Sequence, residues 1–280
     1  MQNPKISVLG VERDGCEFIT EIIYSTTHVK PEHAEDFYSD INFATLCFDK
    51  EDLLYSIAPL KICVENLDDF SKIIRENFSD TDIIFIISCE ESMFMASMVS
   101  RLLKTIGIFS VGIFSFSWDS IHSGNFSKFI YRHEKYFDLY FFNLNLDADK
   151  FQSIFEFLTD FIYKSGFINL DFDDIKNFLK DSGYAFLSGG YFGGCNKVSN
   201  AALQATSDIY WRSKYCKKYV TKILVNITSS ADVTLEELKD AVQVIKEKTG
   251  NPDVEIMWAH TLNEKLNNSA RVSLLCIEEF

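Results

Sequence analysis

Residues 166–190 read GFINLDFDDIKNFLKDSGYAFLSGG, a stretch in which a carboxylate-rich turn separates two apolar segments. Asn169 stands two residues before Asp171, and Asp174 follows three residues after it. The two aspartates have the spacing of a helix N-cap and its first-turn partner, ahead of a helical apolar period that begins at Ile175. The same carboxylates could order a water for hydrolysis, and capping does not account for Asn169. Capping and chemistry therefore both stay open for this turn.

A long helix is predicted immediately before this turn. From Asp149 to Lys164 the apolar residues recur at helical spacing on one wide face, and Gly166 stands where the helix would end. We expect this segment to be a central helix of the fold.

Upstream of that helix, apolar runs alternate with helical periods, which is typical of a parallel sheet covered on both faces. The runs predict six strands, at 5–11, 42–48, 61–65, 82–88, 108–115 and 137–144.

Downstream of the acidic turn, the glycine-rich segment SGGYFGG at 188–194 is interpreted as a series of turns. Beyond it the pattern predicts a strand at 222–228, a helix at 234–248, and strands at 253–259 and 270–277. We therefore predict a second, smaller α/β unit.

Composition excludes several classes of partner. The 280 residues include 27 basic and 41 acidic side chains, a formal charge of −14, so nucleic acid and anionic membranes would be repelled. The seven cysteines form no CxxC pair and the histidines form no HExxH motif, which predicts reduced thiols, a cytoplasmic protein and no metal site. No apolar stretch is long enough for a transmembrane helix, and we expect no direct membrane contact.

Ligands of open parallel sheets bind at the loops that follow the strands, so these loops were compared with phosphate-binding loops. The first is GVERDGC at 10–16, where Gly10 and Gly15 have the spacing of half a P-loop. No Lys follows, and Glu12 and Asp14 stand inside the loop. An acidic first helical turn is the alternative interpretation.

The loop after the fourth predicted strand is SCEESMF at 88–94, which contains no glycine. Glu90 and Glu91 stand at the start of the following helix, where a phosphate would otherwise bind. At an effective dielectric constant near 20, a carboxylate about 4 Å from one phosphate charge costs roughly 4 kcal/mol, half of the ~8 kcal/mol that supports micromolar binding. Magnesium or Arg13 could offset part of this cost.

Residues 166–190 resemble the segment that leads from the central helix through the synergy loop in the FtsZ family of bacterial division proteins, which are relatives of tubulin. KILVNITSSADVTLEELKDAVQVI (222–245) and VEIMWAHTLNEKLNNSARVSLLCIEEF (254–280) are similar to that family's C-terminal domain. NFATLCFDKEDLL (42–54) and IGIFSVGIFSFSW (106–118) fall where its nucleotide-binding domain has comparable strands.

The resemblance implies an FtsZ/tubulin-like α/β fold with three parts. These are a parallel-sheet domain of the nucleotide-binding type at 1–148, a central helix and synergy loop at 149–183, and a C-terminal α/β domain at 184–280. Family members bind GTP in the first domain and stack head to tail, so that the synergy loop of one subunit enters the next subunit's pocket and its acidic residues position the attacking water. By position, the resemblance assigns this role to Asn169, Asp171 and Asp174.

The chain departs from the family in the pocket itself. The GGGTGTG signature corresponds to SCEESMFMAS, an Asn-Thr-Asp group corresponds to Cys47, Phe48 and Asp49, and the ribose-binding Glu and Arg have no clear counterpart in SWDSIHSGNFSKF (117–129). We therefore expect a degenerate pocket without GTPase activity and without a bound cofactor, or GTP with Mg²⁺ if the pocket still functions. The residues of this expected pocket are Gly10, Glu12, Asp14, Gly15, Glu90 and Glu91. The sequence reads only to Phe280, directly after the last predicted strand, where family members usually continue into a tail that binds membrane tethers, so we expect no recruitment by those tethers.

Three functional hypotheses follow from this combination. The first is an FtsZ-like cytoskeletal protein that assembles with itself, head to tail, without GTP. The second is a modulator or cap of a genuine FtsZ filament, and the third is an unusual GTPase that uses Mg²⁺ and the synergy-loop aspartates.

Overall fold

The computed structural model describes residues 4–28, 41–117, 134–144, 146–163, 166–211 and 219–278. The chain divides into two compact units, Met1–Gln152 and Ser153–Phe280. The three-part division at 148 and 183 stays a prediction. No helix in the described ranges is both long and apolar enough to cross a bilayer.

The described part of the first unit is a parallel sheet in the order β3-β2-β1-β4-β5-β6. Each strand predicted for this region is present, and its bounds differ by only a few residues. The elements are β1 (Ile6–Val11), α1 (Glu12–His28), β2 (Ile41–Cys47), β3 (Leu60–Cys63), α2 (Leu67–Phe78), β4 (Ile83–Cys89), α3 (Met93–Lys104), β5 (Phe109–Phe116) and β6 (Leu139–Leu144).

The strands at the centre of this sheet are apolar on both faces. Every residue of β1 is buried, as are the first six of β4. Helices therefore cover both sides, as the uninterrupted apolar runs predict. Because the strands are parallel, their carboxyl ends lie at one edge of the sheet, and the segments after β1, β4 and β5 meet there.

The second unit contains a mixed sheet in the order β7-β10-β8-β9, in which β10 is antiparallel to β7 and β8, and β9 is parallel to β8. The central helix α4 (Ala148–Tyr163) begins in the first unit and ends in the second. The other elements are α5 (Phe172–Leu179), β7 (Gly183–Gly193), α6 (Lys197–Ala205), α7 (Ser207–Trp211), β8 (Val220–Ser229), α8 (Leu235–Thr249), β9 (Glu255–Leu262) and β10 (Ser269–Glu278).

The glycine-rich segment forms a strand, so its interpretation as turns is wrong for three of its four glycines. Gly189, Gly190 and Gly193 lie in β7, and only Gly194 adopts a positive φ, of 91°. A Cβ at Gly190 would lie 2.0 Å from the carbonyl oxygen of Ala201, because α6 packs directly on the strand. This glycine thus provides space for a helix that the sequence pattern did not predict.

Candidate functional site

A cleft of about 620 Å³ lies at the carboxyl-end edge of the parallel sheet in the first unit. Residues of α1, the end of β4 with its following turn, and the end of β5 line it. None of the described lining residues is Lys or Arg. Five of them are carboxylates: Asp14, Glu17, Glu21, Glu90 and Glu91.

The first segment of the expected pocket lies at the junction of β1 and α1. β1 ends at Val11 and α1 begins at Glu12, with no residue between them. Glu12 makes the change of direction with a φ of 59°, a left-handed conformation that favours glycine. A Cβ at Gly10 would lie 2.2 Å from the carbonyl oxygen of Gly15, so these glycines allow the helix to pack against the strand.

The structure brings together four of the six residues expected in the pocket. Asp14, Gly15, Glu90 and Glu91 line the cleft, whereas Gly10 and Glu12 are not among its described lining residues. The sequence analysis missed Glu17 and Glu21. Their spacing from Asp14, three and seven residues, places them on the same face of a helix, and this signal could have identified them.

Glu12 belongs to a separate acidic group beside the cleft. Burial raises the pKa of its carboxyl, and although a backbone hydrogen bond at Phe48 opposes this, the charges of Asp52 and Asp49 raise the pKa further. The family's Asn-Thr-Asp position, here Cys47 to Asp49, therefore faces a carboxylate.

Arg13, the cation nearest in sequence to these acids, is already engaged. Its Nε donates to Glu17 Oε1 at 3.0 Å, and its guanidinium lies 4.0 Å from the ring centroid of Tyr55. Arg13 is not among the described residues that line the cleft. Neutralisation of the carboxylates by Arg13, which the sequence left open, is thus limited to Glu17.

Two backbone amides of the turn after β4 have acceptors within the turn. The Cys89 N–H donates to Ser92 Oγ at 3.1 Å, and the Met93 N–H donates to the Glu90 carbonyl oxygen at 3.4 Å. A phosphate loop needs amides that point at the anion. Here those two amides are used within the turn, and the side chains of Glu90 and Glu91 line the cleft in their place.

Two buried thiols pack beneath this edge of the sheet. Cys16 Sγ on α1 and Cys47 Sγ at the end of β2 lie 3.2 Å apart. Their hydrogen bond lowers the pKa of Cys16 and raises that of Cys47. Within the described ranges, no group of three or more His, Cys, Asp or Glu side chains could hold a metal ion.

In the second unit, Asn169 closes a turn with Gly166. The Gly166 N–H donates to Asn169 Oδ1 at 2.9 Å, and Asn169 Nδ2 donates to the Gly166 carbonyl oxygen at 3.3 Å. This contact gives the structural role for Asn169 that capping did not provide. The side chain itself remains exposed.

The two aspartates lie at the start of α5 with their side chains exposed. Asp171 is the N-cap residue by backbone conformation, and its carbonyl oxygen accepts the Ile175 N–H at 3.1 Å, but its carboxylate makes no capping hydrogen bond. Asp174 lies in the first turn. The side-chain capping interpretation is therefore wrong for Asp171.

His260 on β9 holds the turn to the sheet of the second unit. Its backbone N–H donates to the Ile168 carbonyl oxygen at 3.0 Å, and its Nδ1 accepts the Phe167 N–H at 3.2 Å. The sequence analysis noted only that this histidine belongs to no HExxH motif. No local pattern could connect residues 93 positions apart.

Comparison with known protein families gives a match within the second unit. Residues 183–278 match the model of the FtsZ family, C-terminal domain. The chain is 34% identical over 119 residues to the cell division protein FtsZ of Rickettsia bellii, a match that spans 42% of this chain and 26% of that protein. It is 34% identical over 118 residues to the FtsZ of Mycoplasmopsis pulmonis, a match that spans 30% of that protein.

Solved structures extend the likeness to the whole chain. A mutant FtsZ of M. jannaschii has a TM-score of 0.69 at 20% identity and covers 98% of this chain and 91% of its own. Residues 183–278 thus form an FtsZ C-terminal domain, and the chain has an FtsZ-like fold. TubZ-Bt from a four-stranded filament matches this FtsZ-like fold with a TM-score of 0.67 at 10% identity, over 98% of this chain and 86% of its own.

The FtsZ-like fold confirms the α/β architecture implied by residues 166–190. The curated matches extend over about a quarter to a third of the relatives' length. The sequence analysis found no counterpart of the ribose-binding Glu and Arg in residues 117–129. All of these residues except Ser117 lie outside the described part of the chain, so this interpretation stays a prediction.

Proposed function

We propose that this FtsZ-like protein is a cytoskeletal protein that assembles with itself, head to tail, into filaments and does not need GTP to do so. The observation that carries the proposal is the cleft in the first unit. Five carboxylates line it, and no Lys or Arg is among its described lining residues. Arg13 pairs with Glu17, and a ligand with three or more negative charges would be repelled by the other four carboxylates.

The electrostatic cost is large compared with the binding energy of a nucleotide. One carboxylate about 4 Å from one phosphate charge costs roughly 4 kcal/mol at an effective dielectric constant near 20. Two such contacts would cancel the ~8 kcal/mol of a micromolar complex. The turn amides at Cys89 and Met93, which would offset this cost in a phosphate loop, already have acceptors within the turn.

The turn at 166–169 and the start of α5, both in the second unit, support self-assembly. Asn169, Asp171 and Asp174 are exposed. The turn at 166–169 is fixed by two hydrogen bonds between the side-chain amide of Asn169 and the backbone of Gly166. Among the structural relatives are an FtsZ dimer described as empty and a TubZ filament, and both names describe self-association. In this proposal the three side chains form the end that docks onto the next subunit.

Sedimentation of the purified protein above a few micromolar tests the proposal in three conditions: no nucleotide, GDP, and GTP with Mg²⁺. We expect equal pelleting in all three, with filaments visible by negative-stain electron microscopy. Asp174→Arg should abolish pelleting, whereas Asp240→Arg, on the exposed face of α8, should leave it unchanged. Pelleting only with GTP would refute GTP independence, and Asp174→Ala should then abolish GTP turnover.

A second candidate function is supported by the difference between the two ends. The carboxylates of the synergy loop are exposed, while the cleft is acidic. This combination suits a subunit that docks onto a genuine FtsZ filament and refuses the next subunit. Added at a substoichiometric ratio to polymerising FtsZ, such a cap should shorten filaments. Unchanged filament length and GTP turnover would exclude this function.

A further inference from the structure

We propose that His260 is the positioning residue of the synergy loop: it fixes the turn at 166–169 in the conformation that the next subunit receives. The inference rests on the proposed function only in taking this turn as a docking end. It concerns a residue of β9 that lies far from the turn in sequence.

Four contacts connect His260 with the turn and with β8. Its backbone N–H donates to the Ile168 carbonyl oxygen at 3.0 Å, and its Nδ1 accepts the Phe167 N–H at 3.2 Å. The imidazole and the Phe167 ring stack with centroids 4.8 Å apart and an interplanar angle of 10°. Nε2 lies 2.9 Å from Ser229 Oγ.

The backbone of the turn also packs directly on His260. A Cβ at Gly166 would lie 1.6 Å from the His260 carbonyl oxygen. Residue 166 must therefore be glycine if the turn is to keep this position, and Asn169 then bonds both backbone groups of that glycine. The exposed carboxylate of Asp171 follows two residues after Asn169.

These contacts require one protonation state of the imidazole. Nδ1 accepts a hydrogen bond, so it carries no proton, and the proton of a neutral ring then lies on Nε2 and is donated to Ser229 Oγ. Ser229 Oγ in turn donates to the Ser230 carbonyl oxygen at 3.1 Å. A second proton on Nδ1 would place two donors, Nδ1–H and the Phe167 N–H, opposite each other. The hydrogen bond between Phe167 and His260 would then be lost.

The surroundings of the ring keep it neutral. His260 is 1% exposed, and burial lowers the pKa of its imidazole. The groups that face the ring nitrogens are the Phe167 amide of the turn and the Ser229 hydroxyl of β8, and both are uncharged. No charged group of the described residues contributes to the pKa shift.

The lowered pKa gives the sign of the pH dependence. The unfolded chain takes up a proton near pH 6.5, before the folded protein does, so folded-state stability falls as the pH drops below that value toward the folded pKa. Once the folded imidazole is protonated, the turn loses its bond to Nδ1. Assembly through this end should therefore decline on acidification.

The decisive measurement is a long-range ¹⁵N–¹H spectrum of protein labelled with ¹⁵N-histidine. We expect His260 to show an unprotonated Nδ1 and a protonated Nε2 at pH 7. The opposite tautomer would overturn the inference. This result does not depend on assembly, so it separates failure of the positioning role from failure of the proposed function.

Hydrogen exchange at the Phe167 amide provides the second measurement. His260→Leu should lower its protection about tenfold, because a hydrogen bond is lost. His260→Asn, whose Oδ1 can accept in place of Nδ1, should restore it. The matched control is Thr261→Val on the same strand, whose hydroxyl bonds Asn226 instead. If His260→Leu does not fold, the wild-type pH titration and His260→Asn still decide the question.

The final comparison is pelleting at pH 7 and at the lower pH at which the ¹⁵N-histidine spectrum shows Nδ1 of His260 protonated. Wild-type protein should lose pelleting there, whereas His260→Asn should keep it. Equal pH profiles, or unchanged Phe167 protection in the Leu variant, would refute the positioning role.

Discussion

Substitution of Gly190 by Ala tests the packing of α6 on β7, which organises the second unit. The new Cβ would lie 2.0 Å from the Ala201 carbonyl oxygen and 2.7 Å from the Ala205 nitrogen, both of them backbone atoms. To reach even 3.0 Å, the carbonyl oxygen must move by about 1 Å, the difference between 3.0 and 2.0. The helix cannot move without disturbing its fully buried alanines, which belong to the core of this unit.

The expected loss is at the upper end of the range for overpacked cores, about 3 kcal/mol. Gly189 is the matched control, since it is the preceding residue of the same strand and its added Cβ would lie 3.6 Å from the Val272 carbonyl oxygen, an ordinary contact. Gly189→Ala should be neutral or stabilise by about 0.5 kcal/mol, because it reduces the freedom of the unfolded chain.

Urea unfolding followed by tryptophan fluorescence measures the difference. In a Trp118→Phe background the remaining tryptophans, Trp211 and Trp258, both lie in the second unit. With a slope of about 2 kcal/mol per molar urea, the midpoint of Gly190→Ala should fall by about 1.5 M. Equal midpoints for the two variants would refute the inference that α6 rests directly on Gly190.

Three further substitutions test local features. Glu12→Gly should raise the free energy of unfolding by about 1 kcal/mol, since Glu12 has a φ of 59°; no gain in thermal denaturation would contradict this. Thr234→Ala removes the capping box of α8 and should cost about 1 kcal/mol in urea unfolding, with Ser→Ala at an uncapped surface position as control. Asp232→Asn should lower the free energy of unfolding by about 2 kcal/mol, because the ammonium of Lys197 stays buried without its counter-charge. This value is at the low end for a buried pair because Asp232 itself is exposed. Lys197 lowers the pKa of Asp232, so in wild type this contribution is present above the ordinary aspartate pKa and is lost as pH falls through the folded value; equal acid unfolding of the two proteins would disprove it.

The parallel sheet could be predicted because its strands are buried on both faces. A strand such as β4 is then an uninterrupted apolar run, which the sequence displays directly. β7 could not be predicted, because its glycines serve a helix that approaches from outside the strand. Propensity favours turns at such glycines, and only the tertiary contact with Ala201 decides otherwise.

The candidate site also contains features that the sequence could predict and features that it could not. Carboxylates in the loops after β1 and β4 could be read from the sequence, and Asp14 and Glu90 do line one cleft. Glu12 has a left-handed backbone conformation, and the turn that Asn169 closes is held by a histidine of another strand. Neither signal is local, so neither was visible in the chain.

The direct passage from β1 into α1 also sets what protein engineering could restore. A phosphate cradle needs consecutive backbone amides that are free to turn toward an anion. Here strand and helix meet at Val11 and Glu12 with no residue between them. The amides that could turn toward an anion at this point are therefore those of the first turn of α1, which contains Glu12 and Asp14. Substitution of these two carboxylates is thus the change with which such engineering would begin.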